Sequence, residues 1–370
     1  KFGPDGTHLW SSRFGDAASQ EYACVSVDAS GNVVISGIFH GSVDFGGGGL
    51  TSAGMADVFV AKFGPDGTHL WSDRFGDRYS ELACYLATDP SGNVLLAGRF
   101  YGTIDLGGGT LTSGGNDDIF VAKLDPDGTH LWSNNFGDAS AQYAIAVAAD
   151  ASGNVAVAGY LGESVDFGGG VLTSAGSHDI FLAMFDADGT HLWSKRFGDS
   201  NSDNVTGLAC DATGNLVMVG NFEGSVNFGG GALTSAGMTD GYIVKLSSAG
   251  DHMWSKRFGD THEQASNCVA IDAVGDVILG ATFEGTVNCG GSDLTSAGSY
   301  DILVARFSAG GSHLWSDRFG DDSMQYPRGV AAGPAGAVSL TGIFQGTVDF
   351  GGGVLTSAGS TDIFVVRLEP

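Results

Sequence analysis

Apolar and polar residues alternate in short runs along the whole chain, and no stretch carries the three-and-four spacing of a helix. In the first full period, residues 23–28 (ACVSVD), 33–39 (VVISGIF), 57–63 (DVFVAKF) and 68–77 (THLWSDRFGD) each read as a strand. The intervening ASGN and GPDG supply Gly with Asn, Asp or Pro, as tight antiparallel turns require. Between the second and third strands lies SVDFGGGGLTSAG, residues 42–54. Its Val43, Phe45 and Leu50 flank the glycines, which predicts a small hairpin whose apolar side folds back over the sheet.

The pattern repeats without insertion or deletion. Trp10, Trp71, Trp132, Trp193, Trp254 and Trp315 stand 61 residues apart, each with a His two residues before it (His8, His69, His130, His191, His252, His313). The units are 1–61, 62–122, 123–183, 184–244, 245–305 and 306–366, and the final RLEP copies the role of the opening KFGP. A fixed period of this size marks a solenoid or propeller, and four strands in a meander make one propeller blade. The expected fold is therefore all-β, a six-bladed β-propeller with four antiparallel strands per blade, forming one domain over residues 1–370. The chain begins on a fourth strand and ends on a third. Pairing of residues 9–14 with 364–368 would close the ring and remove two sheet edges.

The unit VSVDASGNVVISGIF…DVFVAKFGPDGTHLWSDRFGD resembles the bacterial SBBP-type β-propeller repeat, most specifically in D-x-S-G-N-V and D-[IV]-F-V-A-K. The resemblance covers all six units. It implies a propeller and an exported or cell-surface bacterial protein, but it brings no shared activity and no catalytic residues. The family name refers to seven blades where this chain supplies six, and the glycine-rich insert is longer than in a minimal blade.

Composition adds a partner constraint. With 42 acidic against 16 basic residues the net charge is −26, a field that repels nucleic acid and anionic lipid and favours solubility. No run of about 18 apolar residues exists to span a membrane as a helix. The start at KFGPDG, in mid-repeat, is that expected of a processed product or an excised stretch. Cys24, Cys84, Cys210, Cys268 and Cys289 form no CxxC pair and sit at different places in the repeat, so unbonded, mostly buried thiols are expected.

Symmetry limits the chemistry of the repeated residues. Histidines on six outer strands cannot meet at one metal, so they and the tryptophans are expected to pack the blades, opposite Arg13, Arg74, Arg196, Arg257 and Arg318. The Asp57 and Asp16 series, at strand ends, are expected to bind backbone N–H groups. No cofactor is indicated, with calcium as the alternative. Asp44, Asp105, Asp166 and Asp349, with Asn227 and Asn288 as weaker equivalents, could hold it together with loop carbonyls, although they lack the register of known calcium loops. GPDGTHLW differs in residue order from the Asp-box of sialidases, and the glycine run lacks the Lys and helix of a phosphate loop.

Variation concentrates in the connection from each fourth strand to the next first strand. Tyr22, Glu81, Tyr143, Asn204, His262, Glu263, Tyr326 and Arg328 there are the candidates for a ligand site. Near-identical blades suit multivalent, non-enzymatic binding of a glycan, matrix polymer or protein. A hydrolase or lyase using those loops, and a purely structural spacer, are the alternatives.

Overall fold

A computed structural model describes residues 1–369, apart from the side chains of Leu82, Ala83 and Cys84. The chain is all-β, of six-bladed β-propeller class, with a single 3-10 turn at Pro334–Gly336 among the described residues. In the first blade, β1 (Gln20–Val27), β2 (Val33–Phe39), β5 (Asp57–Phe63) and β6 (His69–Phe75) form one antiparallel sheet in the order β1-β2-β5-β6. The glycine-rich insert forms a separate two-stranded hairpin, β3 (Ser42–Asp44) with β4 (Gly49–Thr51). Four further sheets repeat this four-stranded order, and the last has three strands.

The contacts divide the chain into two compact units. One comprises Lys1–Thr173 with Leu182–Ser194, the other Ser174–Phe181 with Lys195–Pro370. Within each, the core lies between successive sheets. In the first unit, Val34, Val58, Val60 and Phe75 pack against Leu96, Phe100, Phe120 and Ala122 of the next sheet. In the second, Val219 and Ile243 meet Leu279, Leu303 and Ala305 in the same manner. The third strands of the five four-stranded sheets are buried on both faces (β5 throughout its length), which explains their nearly continuous apolar sequence.

Tryptophan joins one repeat to the next. Trp71 Nε1 donates to the Pro126 carbonyl at 3.0 Å, and Trp132 to Ala187 at 3.0 Å, in each case in the turn that comes after the next repeat's third strand. Trp254 does the same with Ala309 at 3.1 Å. Lysine takes a parallel route. Lys62 pairs with Asp28 of its own blade at 3.0 Å and donates to the Pro126 carbonyl at 3.1 Å. His69, His130, His191, His252 and His313 lie against the glycine hairpins. His69 shares a hydrogen bond with Ser72 (3.0 Å), and its ring covers Gly47, where a Cβ would collide with the imidazole. That contact accounts for Gly47, and a positive φ for Gly46 and Gly48.

The sheet ending in Asp362–Leu368 stops at three strands with Ile363 80% exposed, and residues 9–14 belong to no strand. The opening KFGP has local partners. Lys1 and Phe2 already face Trp10 and His8, through Leu9 N–H to Lys1 O at 2.9 Å and a Phe2–His8 bridge. This is the register that Lys62 and Phe63 keep with Trp71 and His69. Phe14 still packs on Phe45 and Phe63, at 5.0 and 5.3 Å between ring centroids, as Phe136 does on Phe167 and Phe185.

Cys24, Cys268 and Cys289 are free thiols, Cys210 Sγ lies 3.6 Å from the Asp211 carbonyl, and burial pushes Cys268 and Cys289 up to about 12. The side chain of Cys84 lies outside the described residues.

Candidate functional site

Most of the repeated polar groups are used up by the fold. Asp57 accepts the Ala53 N–H at 2.8 Å and pairs with Arg74; Asp179, Asp240 and Asp301 pair likewise with Arg196, Arg257 and Arg318. The Asp77 series pins the connection between blades: Asp77 accepts Tyr79 N–H at 2.7 Å and Thr103 N–H at 3.1 Å. The carboxylates offered above as calcium ligands also lock turns. Asp44 accepts the N–H groups of Gly46 (2.7 Å) and Gly48 (3.1 Å), Asp105 those of Gly107 and Gly109, Asp166 those of Gly168 and Gly170, and Asp349 those of Gly351 and Gly353. Asn227 makes the same two bonds with a neutral amide oxygen, so locking the turn does not need a charge. Asn288 caps Gly290 at 2.7 Å. No group of three or more metal-ligating side chains occurs among the described residues.

Two clusters bring candidate tyrosines that break the repeat together with an arginine. In the second unit, the Tyr300 hydroxyl donates to Glu263 at 2.5 Å, its ring lies 5.6 Å from Tyr326, and Arg328 stands over Tyr326 at 5.8 Å. The hydrogen bond to the Glu263 carboxylate, helped by burial, holds the Tyr300 phenol well above its usual range, so it acts as a donor. In the first unit, Tyr143 stacks on Tyr160 at 4.8 Å between centroids, and the Arg99 guanidinium lies 4.5 Å from the Tyr143 ring while pairing with Asp117 at 3.1 Å. Tyr143 and Tyr326 are equivalent positions, both at the second residue of a first strand.

The other candidates fall outside these clusters. Tyr22 is 63% exposed and has φ 55, a left-handed backbone beside the bulge of β1. His262 is exposed and bonds back to Asp260 at 3.0 Å, and Asn204 reaches Ser202 at 3.4 Å. Glu81 is fully buried and faces the sheet rather than a ligand. Tyr300, Arg99, Tyr160 and Asp117 escape the sequence criterion. They vary from repeat to repeat like the connections, but they occupy the end of the second strand and the approach to the third.

No protein-family model matches the chain. An uncharacterised WD repeat-containing protein of Acanthamoeba polyphaga mimivirus is 21% identical over 440 residues, covering 95% of this chain and 31% of that protein. The regulatory protein FlaEY of Caulobacter vibrioides is 27% identical over 171 residues, covering 45% of this chain and 17% of that protein. The chain thus spans less than a third of the length of these relatives. Among solved structures, a protein of unknown function from Dyadobacter fermentans is similar over 96% of both chains (TM-score 0.47, 13% identity). The β-propeller domain of the Trilobed protease from Pyrococcus furiosus is similar over 93% of this chain and 84% of its own (TM-score 0.47, 8% identity). The strand ladders, not these likenesses, define the fold. No helix among the described residues is long and apolar enough to cross a membrane.

Proposed function

We propose that the protein is a non-enzymatic binding module of the bacterial surface or exterior, taking a glycan or glycan-bearing matrix polymer on the loops that open the first strands. The observation that carries this is the contrast between saturated repeated residues and unrepeated Tyr, Glu and Arg. Tyr300 and Tyr326 set two rings beside a carboxylate and a guanidinium, and Tyr143 and Tyr160 set two more beside Arg99. Tyrosine offers an apolar face for a sugar ring and a polar edge for its hydroxyls, at little cost in conformational freedom. Two such clusters favour polymers over single sugars, because the second contact is made at high effective concentration.

A glycan array probed with the chain and with its Y143A/Y326A double variant tests this reading. Saturable binding of a polymer, weakened at least about tenfold in the variant, is expected. Absence of binding with and without calcium, or equal binding by both proteins, would remove it. Binding only with calcium would return attention to Asp44 and its equivalents.

A further inference from the structure

The second repeat contains a cavity of about 660 Å3 that the clusters above do not touch. Asp77, Arg78, Tyr79, Tyr101, Gly114 and Gly115 are among the residues that line it. Three of these have no counterpart elsewhere. At the positions of Arg78, Tyr79 and Tyr101 the other five repeats carry neither Arg nor Tyr, and where they carry Ala this repeat has Gly114. The departures from the repeat therefore fall together on one cavity.

The arginine is fixed in place. Its guanidinium carbon lies 4.7 Å from the Tyr79 ring centroid, and Nη2 donates to the Tyr79 hydroxyl at 2.6 Å. Tyr79 is held in turn by its N–H to Asp77 and by Tyr101, whose ring stands at 83° to it with centroids 5.0 Å apart. An exposed arginine ordinarily loses rotamer freedom when it binds; this one has lost much of it beforehand, leaving its other N–H groups oriented. Asp77 offers little competition for a ligand, because its two oxygens already accept Tyr79 N–H, Thr103 N–H and the Thr103 hydroxyl at 2.7, 3.1 and 2.6 Å. Tyr101 keeps 42% of its surface exposed, and Gly114 and Gly115 add bare backbone.

We infer that this cavity binds a hexuronate residue of an acidic polysaccharide, by a short-range pairing that acts against the chain's general negative field, which salt screens. The sugar's carboxylate pairs with the Arg78 guanidinium, and the ring lies on Tyr101. A planar guanidinium matches a carboxylate with two parallel N–H···O bonds, which a neutral sugar cannot supply. The assignment is independent of the loop-face reading, since it shares no residue with it.

Calorimetric titration of the full chain with tri-galacturonate and with neutral galactotriose tests it. The charged trisaccharide should bind at least about tenfold more tightly, R78A should abolish that preference, and Y101A should weaken both probes. Both side chains are exposed or on the rim, and thermal melts of the variants confirm that they fold. Equal affinity for the two probes, no saturable binding of tri-galacturonate at millimolar concentration, or unchanged affinity in R78A and Y101A would overturn the assignment. Y326A separates the two sites: binding lost there and kept in R78A belongs to the loop clusters and also overturns it.

Discussion

Glu81 stands where four repeats carry Gln20, Gln142, Gln264 and Gln325, and where the fourth repeat carries Asp203. Gln142 makes the role of that position visible, since its amide donates to Asp138 at 2.8 Å and to the Ser164 carbonyl at 3.2 Å. An ionised carboxylate cannot donate, and in Glu81 one oxygen lies buried without a partner. Burial and the neighbouring carboxylates of Asp57 and Asp77 raise Glu81 from 4.5 to about 8, with Arg74 engaged by Asp57 rather than by Glu81. Asp203 is raised to about 7 by burial and by Asp199, Asp179 and Glu223. From pH 4.5 up to about 8 the folded chain holds a proton at Glu81 that the unfolded chain has released, so stability falls as pH rises and levels off above. E81Q should flatten that slope and stabilise the chain by roughly 1–2 kcal/mol at pH 8, where a buried acceptor lacks its donor. Parallel urea-denaturation curves for E81Q and the parent across pH 5–9 would refute this. The variable connection around the glutamate makes it look like a ligand residue. A comparison down its own position, with four glutamines of one length, carries the signal that it points inward.

The turn between the first two strands works together with the third strand. Asp28 accepts Ser30 N–H, Asn32 N–H and the Asn32 amide at 2.9, 2.9 and 2.8 Å, and then pairs with buried Lys62. Asp150 makes the same three bonds at 2.8, 2.9 and 2.7 Å, yet the position of Lys62 is Met184 in that repeat. The carboxylate is therefore satisfied by its own turn, whereas the ammonium depends on the carboxylate. K62M should cost only about 1 kcal/mol, the net worth of a hydrogen bond, whereas D28A should cost about 3–5 kcal/mol by stranding a buried charge. Chemical denaturation ranks the two, and a K62M loss equal to that of D28A would contradict the account. The strands and turns were legible because alternation and Gly placement act locally. The partner of each tryptophan was not, because its acceptor is a backbone carbonyl, carried by Pro126 in one repeat and by Ala187 and Ala309 in others.

Across the whole molecule the net charge of −26 works against compaction. Salt shortens the reach of that repulsion to about 8 Å at 0.15 M and about 3 Å at 1 M, so the urea midpoint should rise as sodium chloride is added. A midpoint that falls or stays constant would show that local ion pairs such as Arg99–Asp117 outweigh the general repulsion. The repeat count and fold class were plain from the 61-residue period. The tryptophan bond also bears on how such a chain is built and lengthened. Trp10, Trp71, Trp132 and Trp254 each donate an indole hydrogen bond to a carbonyl 55 residues further on. A tandem duplication by recombination at any point in the period yields a neighbour that already fits. The same equivalence offers a growing chain several interchangeable acceptors, so the order in which turns leave the ribosome decides which one each indole meets first.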